Sequence, residues 1–235
     1  MKKSQVVMFV MLLAVVPATL ILGIKLPGRS YYLLSAIVAI EILIPFFMAF
    51  EGRKPQPREL VTVAVMSALA TIARVAVPLP SFKPTFAVIM LTGIAFGPET
   101  GFIVGALGAL GSDFFYGQGP FTPWQMLAYG MAGLLAGFVY QRGWLPRKNW
   151  VMGVFCFVCT VLFIGPLLDT SMVTVIATKV NLQTMLPIYA SGLPVNISHG
   201  VANFLTMLFF GNAILEKLER VKTRYGMMET EDDGI

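Results

Sequence analysis

Three hydrogen-bonding side chains lie close together in the last apolar run of the sequence. Asn196, His199 and Asn203 are spaced by three and four residues, so on a helix they share one face. Polar groups on a membrane helix face the bundle interior, because hydrocarbon offers them no partner. They form either a polar wall that contacts a substrate or a set of interhelical hydrogen bonds. His199 is the sole histidine of the sequence, and without companion ligands it predicts no metal site.

A second group of candidate residues flanks a short stretch rich in glycine and proline. Aromatic rings at the level of the lipid headgroups normally form an interfacial belt. In a loop shaped by glycine and proline they can also stack on a planar ligand. Both interpretations stay open from the sequence. As candidate substrate-binding residues the group contributes Phe115, Tyr116, Gln118, Phe121, Trp124 and Gln125.

Few charged or reactive side chains fall inside the apolar runs. Arg74 and Asp113 lie near the same end of two predicted helices, where they either form a buried ion pair or contact a polar ligand. Glu41 lies near the middle of another predicted helix, and it either contacts a partner or is a protonated carboxyl bonded within the bundle. Cys156 and Cys159 form a C-x-x-C pair. Without further ligands nearby, this pair predicts two small buried side chains rather than a redox or metal site.

The composition explains why polar side chains are so sparse. Of the 235 residues, 57% are hydrophobic and 12% are charged, whereas soluble domains carry about 25% charged residues. Several apolar runs approach the ~20 residues that a helix needs to cross a bilayer, and they are continuous rather than alternating. The sequence therefore predicts an all-α membrane protein. Its net charge of +5 comes from short basic clusters between the runs, which is typical of membrane orientation and not of nucleic-acid binding.

The apolar runs divide the chain into four parts. Residues 1–50 predict two N-terminal transmembrane helices, 51–58 a basic linker, 59–220 a six-helix core and 221–235 a cytoplasmic tail. A long connection over residues 169–192 is predicted as an outer loop, and loops of that length are often functional. The six core helices are predicted over residues 59–77, 85–96, 101–115, 123–140, 151–168 and 193–215.

The distribution of basic residues predicts the orientation in the membrane. With eight crossings, most of the 17 Lys and Arg residues fall on the side that holds both termini, so both termini are predicted to be cytoplasmic. The loops at 78–84, 116–122 and 169–192 then face outside, and a soluble ligand is expected there. The sequence contains no G-x4-G-K-S/T motif, so any ATPase must be another subunit.

Small residues predict close helix packing in two places. The stretch from residue 83 to 140 is dense in Gly and Ala, and small side chains let helices approach closely in lipid. Ala64 and Ala68 form an Ala-x3-Ala pair in the cytoplasmic half of the first core helix. That spacing gives a flat strip on which another helix can pack.

Taken together, these features resemble the substrate-binding S-components of energy-coupling factor (ECF) vitamin transporters. The resemblance rests on the six-helix core, on Ala64-x3-Ala68 and on the segment GIAFGPETGFIVGALGALGSDFFYGQGPFTPWQM. The strings FGPETGF and YGQGPFTPWQM are similar to the cobalamin-type branch. The two extra N-terminal helices depart from a minimal six-helix S-component.

The resemblance implies a division of labour among subunits. Such a subunit captures a vitamin from outside, with cobalamin the favoured substrate, and has no cofactor or metal of its own. It docks through the Ala64 and Ala68 face on a T-component with two ATPases, topples in the bilayer and releases the vitamin inside. The alternatives are an S-component for another vitamin or a queuosine-type precursor, an intramembrane enzyme, and a structural or channel subunit. An enzyme would need clustered acid, base or metal-binding residues, and Glu41, Asp113 and His199 lie on three different predicted helices.

Overall fold

The computed structural model describes residues 10–23, 37, 41, 44, 56–119, 121–176 and 182–226. Every regular element within these residues is helical, which confirms the all-α prediction. The helices are α1 (Val16–Gly23, after a π-helical turn at Met11–Val15), α2 (Pro57–Val75), α3 (Thr85–Phe96), α4 (Pro98–Tyr116), α5 (Thr122–Gln141), α6 (Asn149–Cys159), α7 (Gly165–Ile176) and α8 (Leu182–Arg224). A π-helical turn at Thr160–Ile164 joins α6 and α7 into one continuous rod, so residues 56–226, where described, form six helical rods.

The N-terminal part is described only in pieces. The first predicted helix is helical over residues 10–23. The second predicted helix lies outside the described residues except at 37, 41 and 44. Thr19 Oγ1 donates a hydrogen bond to Glu41 Oε1 at 2.9 Å, which agrees with a carboxyl bonded within the helices. The count of eight crossings stays a prediction.

Helix α3 forms the centre of the bundle. It has the predicted bounds, and eleven of its twelve residues are buried. A helix that is apolar all round is covered either by other helices or by lipid, and the burial of α3 shows that helices cover it. This burial explains why α3 can be short: its ends contact other helices and not lipid, so the helix does not have to cross the bilayer.

A single residue separates α3 from α4. Gly97 has φ of 98°, a backbone conformation that residues with a Cβ rarely adopt. Pro98 then occupies the first turn of α4, where its missing N–H costs nothing. The string GPETG therefore encodes a tight reversal, and α4 begins three residues earlier than the predicted residue 101.

Glycines set the distance between α4 and α5. A Cβ added at Gly133 would lie 2.2 Å from the carbonyl oxygen of Gly101, and one at Gly105 would lie 2.2 Å from that of Tyr129. A Cβ at Gly93 on α3 would lie 2.1 Å from the carbonyl oxygen of Gly133. Backbones in such contact leave no room for side chains. The predicted close packing in the Gly-rich stretch is confirmed, and it joins three helices at one point.

The predicted outer loop at residues 169–192 is wrong. Helix α7 runs to Ile176 and α8 begins at Leu182, and the chain between them lies outside the described residues. Polar side chains in α7 bond to their own helix, with Thr170 Oγ1 donating to the Pro166 carbonyl at 2.8 Å. Pro187, which fell in the predicted loop, lies inside α8, as does Pro194 of the last predicted helix. Membrane helices tolerate proline when neighbouring groups satisfy the backbone.

Each of the two π-helical turns is followed by one residue and then by a proline, Pro17 after the first turn and Pro166 after the second. Gly165 N–H bonds to the Thr160 carbonyl, just before Pro166. A proline removes one helical hydrogen bond and its ring crowds the carbonyl four residues earlier, and a wider turn relieves that crowding.

Within the described residues, Asn149–Val173 and Met185–Arg224 are long and apolar enough to cross a membrane.

Candidate functional site

A cavity of about 430 Å³ opens at the end of the bundle where α2 and α4 end and α5 begins. Its volume lies within the range of roughly 300–1,000 Å³ that small-molecule sites occupy. The loop between α2 and α3 and the facing sides of α7 and α8 complete the wall. The lining comprises Arg74, Pro80, Ser81, Lys83, Tyr116, Gln125, Tyr129, Leu168, Asp169, Ser171, Met172, Val195, Asn196 and His199.

Arg74 is held rigidly at this cavity by neighbouring helices. Its Nη1 donates to Asp113 Oδ1 at 2.9 Å and to Ser112 Oγ at 2.6 Å, and its Nη2 donates to Gln125 Oε1 at 2.9 Å. The Asp113 side chain is 1% exposed, whereas that of Arg74 is 15% exposed. A guanidinium carries more N–H donors than these contacts use. Arg74 can therefore pair with Asp113 and still contact a ligand, so the two interpretations drawn from the sequence do not exclude each other.

Two tyrosine rings lie against the guanidinium of Arg74. The distances from Arg74 Cζ to the ring centroids are 5.3 Å for Tyr116 and 5.2 Å for Tyr129, within the range of cation–π attraction. Tyr116 also donates its hydroxyl to the Arg74 carbonyl at 3.0 Å. The Phe86 ring meets the Tyr129 ring edge-on at 4.7 Å. These contacts fix the direction in which Arg74 can present its remaining donors.

The opposite wall carries hydrogen-bonding groups from α7 and α8. Asn196 Nδ2 donates to Asp169 Oδ2 at 2.8 Å. A Cβ at Gly192 would lie 2.3 Å from Asp169 Oδ1, so α8 approaches this carboxylate closely. His199 Nδ1 is buried and has no hydrogen-bond partner among the described residues. A buried polar atom without a partner costs free energy, so this atom is a position where a ligand can bond.

The α2–α3 loop adds a cation and a strained residue to the cavity rim. Lys83 Nζ donates to the Val77 carbonyl, which turns the amine back toward the end of α2. Ser81 has φ of 56°, an uncommon conformation for a residue with a Cβ. Lys83 and Arg74 thus face a cavity that also holds Asp169, so charges of both signs line it.

The structure brings together some predicted site residues and separates others. Tyr116, Gln125, Asn196 and His199 line the cavity with Arg74, and Asp113 contacts Arg74 from behind. The remaining residues lie outside its lining, and their contact with a substrate stays a prediction. Phe115 is 71% exposed and points away from the bundle, Trp124 is 5% exposed in the core, and Gln118, Phe121 and Asn203 are also not part of the lining.

Asn203 performs a structural task inside the bundle. Its Oδ1 accepts a hydrogen bond from the Ala87 N–H at 2.7 Å, and its Nδ2 donates to the His199 carbonyl at 2.6 Å. The N–H groups of the first helical turn have no partner within their own helix. Asn203 of α8 therefore caps α3. Of the two interpretations given for Asn196, His199 and Asn203, interhelical hydrogen bonding is the one that applies to Asn203.

Nine lining residues were not among the predicted site residues, and three of these nine carry titratable groups: Tyr129, Asp169 and Lys83. Tyr129 follows Gln125 by four residues on α5, so that spacing places both on one face. Its signal was hidden because tyrosine is common in apolar runs. Asp169 was assigned to a loop, although a lone carboxylate after an apolar run is a signal in itself. Lys83 had no such signal, because the loop geometry that brings it to the cavity depends on the tertiary structure.

The Ala64 and Ala68 strip lies on the surface of α2, around the middle of the helix. Both alanines are exposed, and they are accompanied by exposed Val61, Val65 and Leu69. Residues on the other face of α2, such as Val63 and Ala70, are buried in the core. The strip is therefore free to contact another helix.

Comparison with known proteins identifies the family. The chain matches the family described as "ECF-type riboflavin transporter, S component" over residues 54–216. It belongs to this family. The match begins just before α2 and covers the helices that form the cavity, while α1 lies outside it. Within the described residues, no group of three or more His, Cys, Asp or Glu is placed to hold a metal ion.

Similar curated proteins come from several bacteria. The chain is 34% identical over 110 residues to "Folate transporter FolT" of Streptococcus mutans, covering 43% of this chain and 59% of that protein. It is 35% identical over 81 residues to a UPF0397 protein of Vibrio atlanticus, covering 32% and 44%. It is 30% identical over 184 residues to a UPF0397 protein of Streptococcus thermophilus, covering 73% of this chain and 95% of that protein. No solved structure matches the chain significantly.

Membership of the ECF S-component family indicates the broad class of the chain. Proteins of this family are substrate-binding subunits of membrane transporters and not enzymes. Subunits of this class work with a T-component and ATPases, in agreement with the absence of a G-x4-G-K-S/T motif. No cofactor of its own is expected for such a subunit.

The ion pair of Arg74 and Asp113 gives a prediction that separates stability from binding. Arg74→Met should lower the free energy of unfolding by about 3 kcal/mol, because it leaves a buried carboxylate without its partner. Arg74→Met/Asp113→Leu should recover most of that loss, since both charges are gone. Thermal unfolding in detergent measures both variants. If Arg74 also contacts the ligand, vitamin binding stays weak in the double variant; recovery of both properties would show a structural role alone.

Proposed function

We propose that this S-component captures its vitamin at the Arg74 cavity from outside the cell and delivers it inward by docking on a T-component with two ATPases. The single observation that carries the proposal is the cavity itself, which combines a fixed guanidinium with the unpartnered His199 Nδ1. It lies at the end of the bundle that the basic residues predict to face outside. The Ala64 and Ala68 strip lies around the middle of α2 and outside the cavity lining, so a docking helix could contact it without entering the cavity.

For the substrate, we infer a vitamin of the folate class. Asp169 can accept two N–H donors from an aminopyrimidine edge, because paired donors match a carboxylate. Arg74 and Lys83 can bind a carboxylate at the other end of the same molecule, and the Tyr116 and Tyr129 rings suit a planar ring system. The similarity to a protein named as a folate transporter supports this inference.

Riboflavin is the second candidate, because the family description names it. A flavin carries no carboxylate, so it would leave Lys83 without an anionic partner and Arg74 with Asp113 alone. Cobalamin was favoured from the sequence on the expectation of an aromatic and amide site with little charge. The cavity supports a smaller and more polar vitamin: a corrin is several times larger than a pterin, and the lining includes Arg74, Lys83 and Asp169.

A binding panel with the purified full-length protein tests the substrate. Folate, riboflavin and cobalamin are titrated separately by calorimetry, and we expect heat of binding with folate. Asp169→Asn should weaken folate binding about tenfold or more, because a hydrogen bond to a charged group contributes about 1.5–3 kcal/mol. Glu219→Gln is the matched control, since this carboxylate pairs with Arg147 at the surface. Tighter binding of riboflavin or cobalamin than of folate would overturn the substrate inference and leave the family assignment intact.

A further inference from the structure

A second cavity lies at the end of the bundle opposite the Arg74 cavity. It is a groove of about 480 Å³ between the first half of α2, the end of α3 and the end of α8. Its walls are almost entirely apolar, and Arg58, Thr62 and the end of α8 at Tyr225 provide its polar atoms. The apolar lining consists of Val61, Val65, Met66, Leu69, Phe96, Leu218 and Val221.

Along α2, the groove is about as long as one bilayer leaflet is thick. Along α2 it extends from Arg58 in the first turn to Leu69, and at about 1.5 Å per residue this distance is roughly 16 Å. The hydrocarbon core of a bilayer is ~30 Å thick, so one leaflet contributes ~15 Å. The charged end of the groove therefore falls at headgroup level when its apolar end falls near the bilayer centre. An acyl chain has this length and this chemistry.

Basic side chains surround the charged end of the groove. Arg58 Nη1 donates to the Tyr225 carbonyl at 2.9 Å, which joins the start of α2 to the end of α8. Lys222 and Arg224 lie in the last turn of α8, and Lys222 Nζ donates to the Ala95 carbonyl at 3.2 Å, next to the groove residue Phe96. The groove lining contains no carboxylate, and the neighbouring Glu59 is buried within the bundle.

We propose that this groove binds an anionic phospholipid, with an acyl chain between α2 and α8 and the phosphate beside Arg58 and the basic end of α8. Two independent properties carry the proposal: the leaflet depth of an apolar groove and the excess of cations at its headgroup end. Basic pockets between transmembrane helices bind anionic headgroups in this way. Ala64 and Ala68 do not belong to the groove lining, but Val61, Val65 and Leu69 beside them do, so a helix that packs on the alanine strip would displace the lipid.

Native mass spectrometry of the full-length protein released from nanodiscs tests the proposal. The nanodiscs contain equal amounts of phosphatidylglycerol and phosphatidylcholine, and we expect the protein to retain phosphatidylglycerol preferentially. Val65→Trp should lower the retained lipid about tenfold by filling the groove with a ring. Its matched control is Val158→Trp, because Val158 on α6 is similarly exposed, 45% against 51% for Val65, and lies outside the groove.

The headgroup is tested separately from the acyl chain. Arg58→Gln should lower the preference for phosphatidylglycerol about fivefold, the contribution expected of one cation near a membrane surface. Arg142→Gln, an exposed arginine outside the groove lining, should leave the preference unchanged. A photoactivatable phosphatidylglycerol should crosslink to α2 and α8 of the unmutated protein, so the test does not depend on variants that fold poorly.

Several results would overturn the proposal. Equal retention of the two lipids by the unmutated protein would remove the headgroup contact. Equal effects of Val65→Trp and Val158→Trp, or crosslinks that map outside α2, α3 and α8, would place the lipid elsewhere. A dimer or a bound protein partner that excludes lipid from the groove would assign this surface to a different occupant.

Discussion

Gly133→Ala is expected to lower the free energy of unfolding by about 4 kcal/mol or more, in the range that only a few kinds of single substitution reach. The added Cβ would lie 2.2 Å from the carbonyl oxygen and 2.3 Å from the carbonyl carbon of Gly101. Both atoms belong to the backbone, so no side chain can rotate away and α4 and α5 must separate. The same movement would break the contact of Gly133 with Gly93 on α3. Thermal unfolding in detergent measures the loss.

Gly211→Ala is the matched control for this substitution. The added Cβ would lie 3.2 Å from Asn149 Oδ1 and 3.3 Å from Met152 Cε, which are side-chain atoms that can move by a few tenths of an ångström. Alanine also favours the helix over glycine, so the change in stability should stay within about 1 kcal/mol. Equal stability of the two variants would contradict the close contact of α4 with α5.

Local sequence signals predicted the end of α3 before Gly97 but not the start of α4, which begins at Pro98 instead of residue 101. The bounds of α3 agree with the prediction because Gly97 and Pro98 stop one helix and start the next within two residues. The density of glycine also predicted close packing. The contact of Gly101 with Gly133 could not be predicted from that density, because the register between two helices is set by all of their contacts together.

The same signals failed where tertiary contacts satisfy polar groups. Asp169 and Pro187 were read as loop residues, since in water such residues favour turns. In the bundle, Asp169 accepts a hydrogen bond from Asn196, and Pro187 and Pro194 are held within a long helix. A prediction from one sequence cannot see these partners, so the loop was placed where two helices continue.

The candidate site was predictable where a charge lies within a predicted apolar helix, as for Arg74 and Asp113, but Lys83 and Asp169 were missed because they were assigned to loops. Arg74 and Asp113 stood out because charges within apolar runs are rare and costly, and they do pair. Aromatic residues have no such distinction. The structure selects Tyr116 and Tyr129 for the cavity, and it buries Trp124 in the core, according to where each falls on its helix.

Transport should be abolished by Ala64→Arg or Ala68→Arg while vitamin binding remains intact. Both alanines are exposed on α2, and neither lines the Arg74 cavity or the groove. An arginine there would hold a docking helix away from α2 and would place a charge in an apolar contact, at a cost of about 2.5–3.5 kcal/mol or more. Uptake of labelled vitamin by cells that express the complete transporter measures the loss, and calorimetry on the purified subunit measures binding.

A size series at the same position separates docking from general damage. Ala68→Ser keeps a small side chain and should retain uptake, because small residues are what allow close helix contact. Ala68→Leu adds bulk without charge and should give an intermediate rate if steric fit is the main requirement. Each variant is also tested for copurification with the T-component, which should fall in parallel with uptake. Normal uptake by both Ala64→Arg and Ala68→Arg would assign docking to another surface of the bundle, because no tight helix contact tolerates an arginine at both positions.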